Sequence, residues 1–254
     1  MIKTMEKILE GAADLIRQHR PRAALALLCQ DAELLCDHGM AWQIRGLLHF
    51  ELAEYRLALN AFEQASLLIP LDPQAQCQLA ECYLRSRKRD VARVIYVYLA
   101  GLEMLPEETV VPVARGLAST DELGASLNFC LVQLRRFRAN HELHSIAATV
   151  MQRLGCNPDD IHPFVFQAHH LRPDILPYRI AYAQHLLAMQ RTREAAATLA
   201  FIDLGRIECV ASLERLRMLF EQVENEKGAE TCKAKLEQIH YQRSSTWRPS
   251  NDES

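Results

Sequence analysis

Glycine and proline are scarce in this chain, nine and ten of 254 residues. Leucine, alanine, glutamate, glutamine and arginine take their place, a composition that favours helix over sheet. No stretch alternates apolar and polar residues between turn signals, so essentially no strands are expected. No run approaches 18 uncharged apolar residues, so no segment is long and oily enough for a membrane helix. A basic excess is missing as well. The net charge of −3 and a pI near 6.4 oppose a general nucleic-acid binder. The eight cysteines form no CxxC pair and no regular framework. Cys29, Cys77 and Cys130 occupy apolar helical positions, where a free thiol acts as a small hydrophobe, a usage suited to a reducing compartment. The opening MIKTMEKILEGAADLIRQ lacks a signal peptide's apolar core. A soluble, cytoplasmic protein is expected. Signatures of chemistry are absent too: no Gly-rich phosphate loop, no GxSxG, no HExxH and no paired-cysteine metal site. Neither an enzyme nor a bound cofactor or metal is expected.

The chain has, instead, a strong helical period. Between Ala41 and Pro70, Trp42, Gly46 and His49 share one face of a helix at i, i+4, i+7. Tyr55 closes a short turn, and Ala58, Phe62 and Ala65 repeat the spacing before Pro70 stops the second helix. Large and small residues so arranged describe two antiparallel helices in close contact. Stepping by 34 residues from Gly46 lands the small slot on Ala12, Ala80, Ala114 and Ala148, and after one extra residue on Ala183. In the second helices the small slot reads Ala24, Ala58, Ala92, Ser126, Asp160, Ala195 and Ala229. The bulky slot there reads Leu28, Phe62, Tyr96, Cys130, Phe164, Leu199 and Lys233. Several slots agreeing at one register are hard to obtain by chance.

The succession Trp42, Gly46, Tyr55, Ala58, Phe62, Ala65, Pro70 resembles a tetratricopeptide repeat (TPR), with Arg45 standing where that family usually has leucine. The resemblance implies an all-α fold: an α-solenoid, a right-handed superhelix of about seven antiparallel helix hairpins. The repeats are clearest at 39–106 and 176–206, and the fourth and fifth are degenerate. Pro112 means that the fourth unit's first helix either begins there or is kinked. A single solenoid is expected over 1–241. Its last helix, 226–241, is polar, as a terminal cap without a neighbour requires. The segment 242–254, with Trp247, is short of apolar residues and expected to be disordered.

If Trp42, Gly46 and His49 pack between helices, the adjoining stripe Gln43, Leu47, Phe50 and Glu51 faces a groove. The same register gives Cys77, Glu81, Leu84 and Arg85, then Val111 and Arg115, and Ile180, Gln184 and Leu187 in the sixth unit. Exposed Leu47, Phe50, Leu84 and Leu187 among charges would suit an extended or helical peptide. The resemblance implies a non-catalytic scaffold or chaperone-like adaptor binding a protein or peptide partner, without membrane or nucleic acid. Alternatives are a type III secretion-type chaperone and an RNA-binding helical-repeat protein. His141, His144, Cys156 and His162 are the residues from which a metal site would have to come, although their spacing fits no known ligand pattern.

Overall fold

The local chemistry of the chain breaks it into helices at regular places. Asp72 caps one of them, its carboxylate accepting from the Ala75 N–H at 2.7 Å with Pro73 in the first turn. Asn140 and Asn157 do the same further on, accepting from Leu143 and Asp159. In the computed structural model, which describes residues 2–30, 35–200 and 202–245, fourteen α-helices and one 3₁₀ turn follow, with no strand among the described residues. They are α1 (Ile2–Arg17), α2 (Pro21–Gln30), α3 (Gly39–Glu51), α4 (Tyr55–Leu68), α5 (Pro73–Arg85), α6 (Arg89–Ala100) and α7 (Glu107–Ser119). Then come α8 (Leu123–Leu134), α9 (His141–Arg153), α10 (Pro158–Leu171), α11 (Leu176–Ala188), α12 (Thr192–Leu199), α13 (Val210–Gln222) and α14 (Glu226–Ser245). The α7 helix starts at Glu107 and runs through Pro112. The terminal α14 continues to Ser245, four residues into the stretch expected to be disordered; Trp247 and the rest of that stretch lie outside the described residues.

Consecutive helices pack as hairpins in six pairs, the seventh pair, α7 and α8, being joined by the Ser126 hydroxyl donating to the Ala114 carbonyl at 2.8 Å, and the backbone marks each turn. His19, Ala53, Arg87, Asp121, Gly155, Gln190 and Glu224 all adopt positive φ, between 56° and 72°. Each sits between two consecutive helices, where a left-handed residue reverses the chain within three residues, or four around Gly155. The spacing is 34 throughout except for one interval of 35, before Gln190, where the sequence register also needs its extra residue.

The slots read from sequence are core positions in most hairpins. Ala12, Ala80, Ala114 and Ala183 are fully buried on first helices, as are Ala24, Ala58, Ala92, Ser126 and Ala195 on second helices. Leu28, Phe62, Tyr96, Cys130 and Leu199 fill the bulky slot with 2 % exposure or less. Two second helices depart from the register. In α10, Asp160 is exposed, and Ile161 and Val165, one residue later, are buried in its stead. In α14, Lys233 is exposed and the neighbouring Cys232 takes the core position. Cys29, at an apolar helical position, is also exposed.

The chain divides into two compact units, residues 1–133 and 134–254. In the first, α3, α5 and α7 lie side by side and α4 and α6 bridge them. Its core joins Phe62, Ala58, Ala65, Leu79 and Cys82, with Trp42, Leu47 and Phe50 packed against the rim. Arg45, replacing the family's leucine, lays its guanidinium 4.2 Å above the Trp42 ring. In the second unit, Leu199, Leu213, Leu216 and Phe220 gather around Ala183, covered by Leu236 and Ile239 of α14. At roughly 25 cal/mol per Å² of apolar surface, these shared cores, rather than any single hairpin, hold the helices together.

Candidate functional site

The first unit contains a cavity of about 650 Å³ along its first helices. Phe50 of α3 forms one end, a face of α5 the wall, and Glu108, Pro112 and Arg115 of α7 the opposite side. Two close helix approaches occur in this unit, the second of them in the cavity lining. A Cβ on Gly46 would come within 2.5 Å of the Phe62 ring, and one on Gly116 within 2.3 Å of the Tyr96 ring. Only glycine lets α7 sit so near Tyr96, which forms the cavity floor together with Cys77.

The wall combines aromatic and charged groups. Phe50 and Tyr55 meet edge to face, 5.5 Å between centroids at 79°. The Arg85 guanidinium covers the Tyr55 ring at 4.0 Å while its Nε donates to Glu81 at 2.8 Å. A cation held both on a ring face and by a carboxylate is a stiff feature at a solvent edge. Burial, with the Glu81 carboxylate behind it, pushes the Cys77 thiol up to about 12 and also raises the Tyr96 phenol. Neither is a nucleophile or a proton donor near neutrality. Gln78 points a buried side-chain oxygen without a partner in the same wall. Pro112 has no N–H to offer the carbonyl of Glu108, four residues earlier on α7. The surface is therefore suited to holding apolar side chains and to donating or accepting hydrogen bonds.

Of the residues expected to line a groove, Phe50, Cys77, Glu81, Leu84, Arg85 and Arg115 surround this cavity. Gln43 lies elsewhere. It is buried, its amide donating to the Asp72 carboxylate at 2.6 Å and accepting from the Asp72 N–H at 3.2 Å. It clasps α3 to the α5 cap. Leu47 packs against the core and Glu51 is exposed. Gln184 and Leu187 line a separate concavity of about 550 Å³ in the second unit, with Arg215 and Met218. Ile180, of the same stripe, is 3 % exposed and belongs to the core, as does Val111 in the first unit. Sequence reasoning passed over Tyr55, Gln74 and Tyr96 as lining residues. The i, i+4, i+7 relation of Gln74, Gln78 and Glu81 on α5 was the available signal.

The residues weighed as metal ligands are dispersed. His141 hydrogen-bonds the Tyr178 hydroxyl at 2.9 Å, His144 the Arg138 carbonyl at 3.0 Å, and His162 faces Arg191. Among the described residues no three histidine, cysteine or carboxylate side chains converge on a point suited to a metal ion. No described helix is long and apolar enough to cross a membrane.

No family model matches the sequence. A tetratricopeptide repeat protein from Parabacteroides merdae superposes with a TM-score of 0.68 at 12 % identity, over 96 % of each chain. YrrB, described as a TPR protein with an unusual peptide-binding site, gives 0.60 at 16 % identity, over 70 % of this chain and 94 % of its own. The chain thus has the tetratricopeptide-repeat fold. A DNA ligase from Stutzerimonas stutzeri (strain A1501) is 30 % identical over 175 residues, 61 % of this chain. The chain spans only 22 % of that ligase.

Proposed function

We propose that this TPR-fold chain is a non-catalytic scaffold, or chaperone-like adaptor, that holds a peptide segment of a partner protein in the cavity of its first unit. The observation that carries the reading is the cavity itself, where six of the groove residues expected from sequence meet around about 650 Å³. That volume lies within the range of pockets that enclose a compact ligand, and it accommodates a few consecutive side chains. Phe50, Tyr55 and Leu84 supply apolar contact, while Glu81, Arg85, Glu108 and Arg115 fix register. The likeness to YrrB supports the reading, since that protein is itself described by a peptide-binding site. Four free thiols buried in the helix packing, Cys77, Cys82, Cys130 and Cys232, support a reducing, cytoplasmic setting.

The test is selection of a displayed peptide library on the purified full chain. Enriched sequences should carry an apolar residue beside a charge. Their affinity should fall at least about tenfold in Leu84→Asp, equivalent to 1.4 kcal/mol or more, with the melting temperature held within a few degrees. Equal capture by the variant would move the site away from this cavity, and retention of structured RNA at physiological salt in place of peptides would overturn the reading.

A further inference from the structure

The second unit brings six aromatic and imidazole rings together between α10 and α11. His162, Phe166, His169 and His170 lie on α10, and Tyr182 and His185 on α11. His162 stacks on His185 with centroids 5.4 Å apart and planes 20° from parallel. His169 stacks on Tyr182 at 5.2 Å and 26°, and Phe166, exposed on its outer side, lies 5.8 Å from Tyr182. Buried nitrogens of three of these imidazoles, His162 Nδ1, His169 Nδ1 and His185 Nε2, have no hydrogen-bond partner.

The charged neighbours mostly oppose a proton on these rings. Arg191, at the start of α12, donates from Nη1 to His162 Nε2 at 3.2 Å, so that nitrogen must carry a lone pair. Glu194 holds the guanidinium in place through two bonds of 2.6 Å. Arg179 and His170 act on His169 in the same sense. Asp159 and Glu194 are the carboxylates facing the cluster, and the Pro158 carbonyl accepts from His185; these favour the charged form. Burial is the largest influence on His162, His169 and His185, and it draws all three below the ordinary imidazole value of 6.5.

We propose that this ring cluster is an acid-sensitive latch, which keeps α10 and α11 packed while its histidines are neutral and releases them when protons bind. A charge on His162 would meet the Arg191 guanidinium, and charges on both stacked rings would repel across 5.4 Å, an effect that Asp159, Glu194 and the Pro158 carbonyl offset only in part. The sign follows from the depressed folded values. The unfolded segment binds protons more readily, so the latch is fully closed above 6.5 and weakens as pH falls below it.

Amide hydrogen exchange on the full chain, corrected for the intrinsic pH dependence, tests the latch. Residues 158–188 should open about tenfold more often at pH 5.5 than at 7.5, with α5 and α6 unchanged. The triple substitution His162→Phe, His169→Phe and His185→Phe keeps flat rings but removes the three depressed titrations, and its exchange should be the same at both pH values. Should that variant not fold, hydrogen exchange at the imidazole carbons of the unmodified chain gives the midpoints directly. Values for His162 and His185 below 6.5 support the latch. Equal protection at both pH values, or midpoints at or above 6.5, overturns it.

Discussion

Replacing Gly46 with alanine tests the packing that holds α3 against α4. The added Cβ would lie 2.5 Å from two carbons of the Phe62 ring and 2.9 Å from a third. Phe62 is completely buried among Ala58, Ala65 and Leu79, so the ring has no void to turn into. Relief requires the helices to separate or the ring to leave its rotamer, at about 2–3 kcal/mol. Alanine gains about 1 kcal/mol of helix propensity over glycine, leaving a net loss of about 1–2 kcal/mol. In a unit of this size that lowers the melting temperature by about 4–8 °C. Gly124, on α8, is the control, because a Cβ there meets nothing within 4 Å. Gly124→Ala should raise the melting temperature by up to about 4 °C through propensity alone. Circular dichroism melts of the two variants should therefore move in opposite directions. If Gly46→Ala melts with or above Gly124→Ala, the tight helix contact inferred at the small slot does not exist. Adding Phe62→Leu to Gly46→Ala should recover part of the loss, since the two sites share one contact.

Two further outcomes follow from the backbone and the thiols. Arg87 turns the third hairpin with φ of 61°, so Arg87→Gly should stabilise the chain by about 0.5–1 kcal/mol in denaturant titration; a loss would mean the turn is not left-handed. Maleimide labelling near pH 7 should modify the exposed Cys209 first, because a hydrogen bond from Ser212 lowers its thiol, and should spare Cys77, Cys82 and Cys130, whose thiols burial pushes up to about 12. Labelling of Cys77 as fast as Cys209 would contradict the burial of α5.

The hairpins were legible in the sequence because close helix packing demands small residues at fixed intervals, and Ala12, Gly46, Ala80, Ala114 and Ala183 meet that demand in register. The register misled where a better apolar residue lay next door. On α10, Ile161 and Val165 displaced Asp160 and Phe164 by turning the helix one residue. Periodicity located the cavity's stripe on α5, with Cys77, Glu81, Leu84 and Arg85, but not its depth. Gln43 belongs to the matching stripe on α3, yet the N-cap of the next hairpin offers its amide two partners, so it is drawn into the contact between hairpins. The ring cluster of α10 and α11 was not legible, because its members lie on two helices and meet only after the chain has turned at Arg172 and Pro173. Six of the seven left-handed turn residues were hidden for a different reason: they are not glycine.

The most direct test of the peptide-holding cavity is a photo-crosslink from a selected peptide carrying one benzophenone side chain, mapped by mass spectrometry on the full chain. Adducts on α3, α5 and α7 around Phe50, Leu84 and Pro112 are predicted. Adducts on the exposed outer residues of α6, Val94 and Tyr98, would contradict the account.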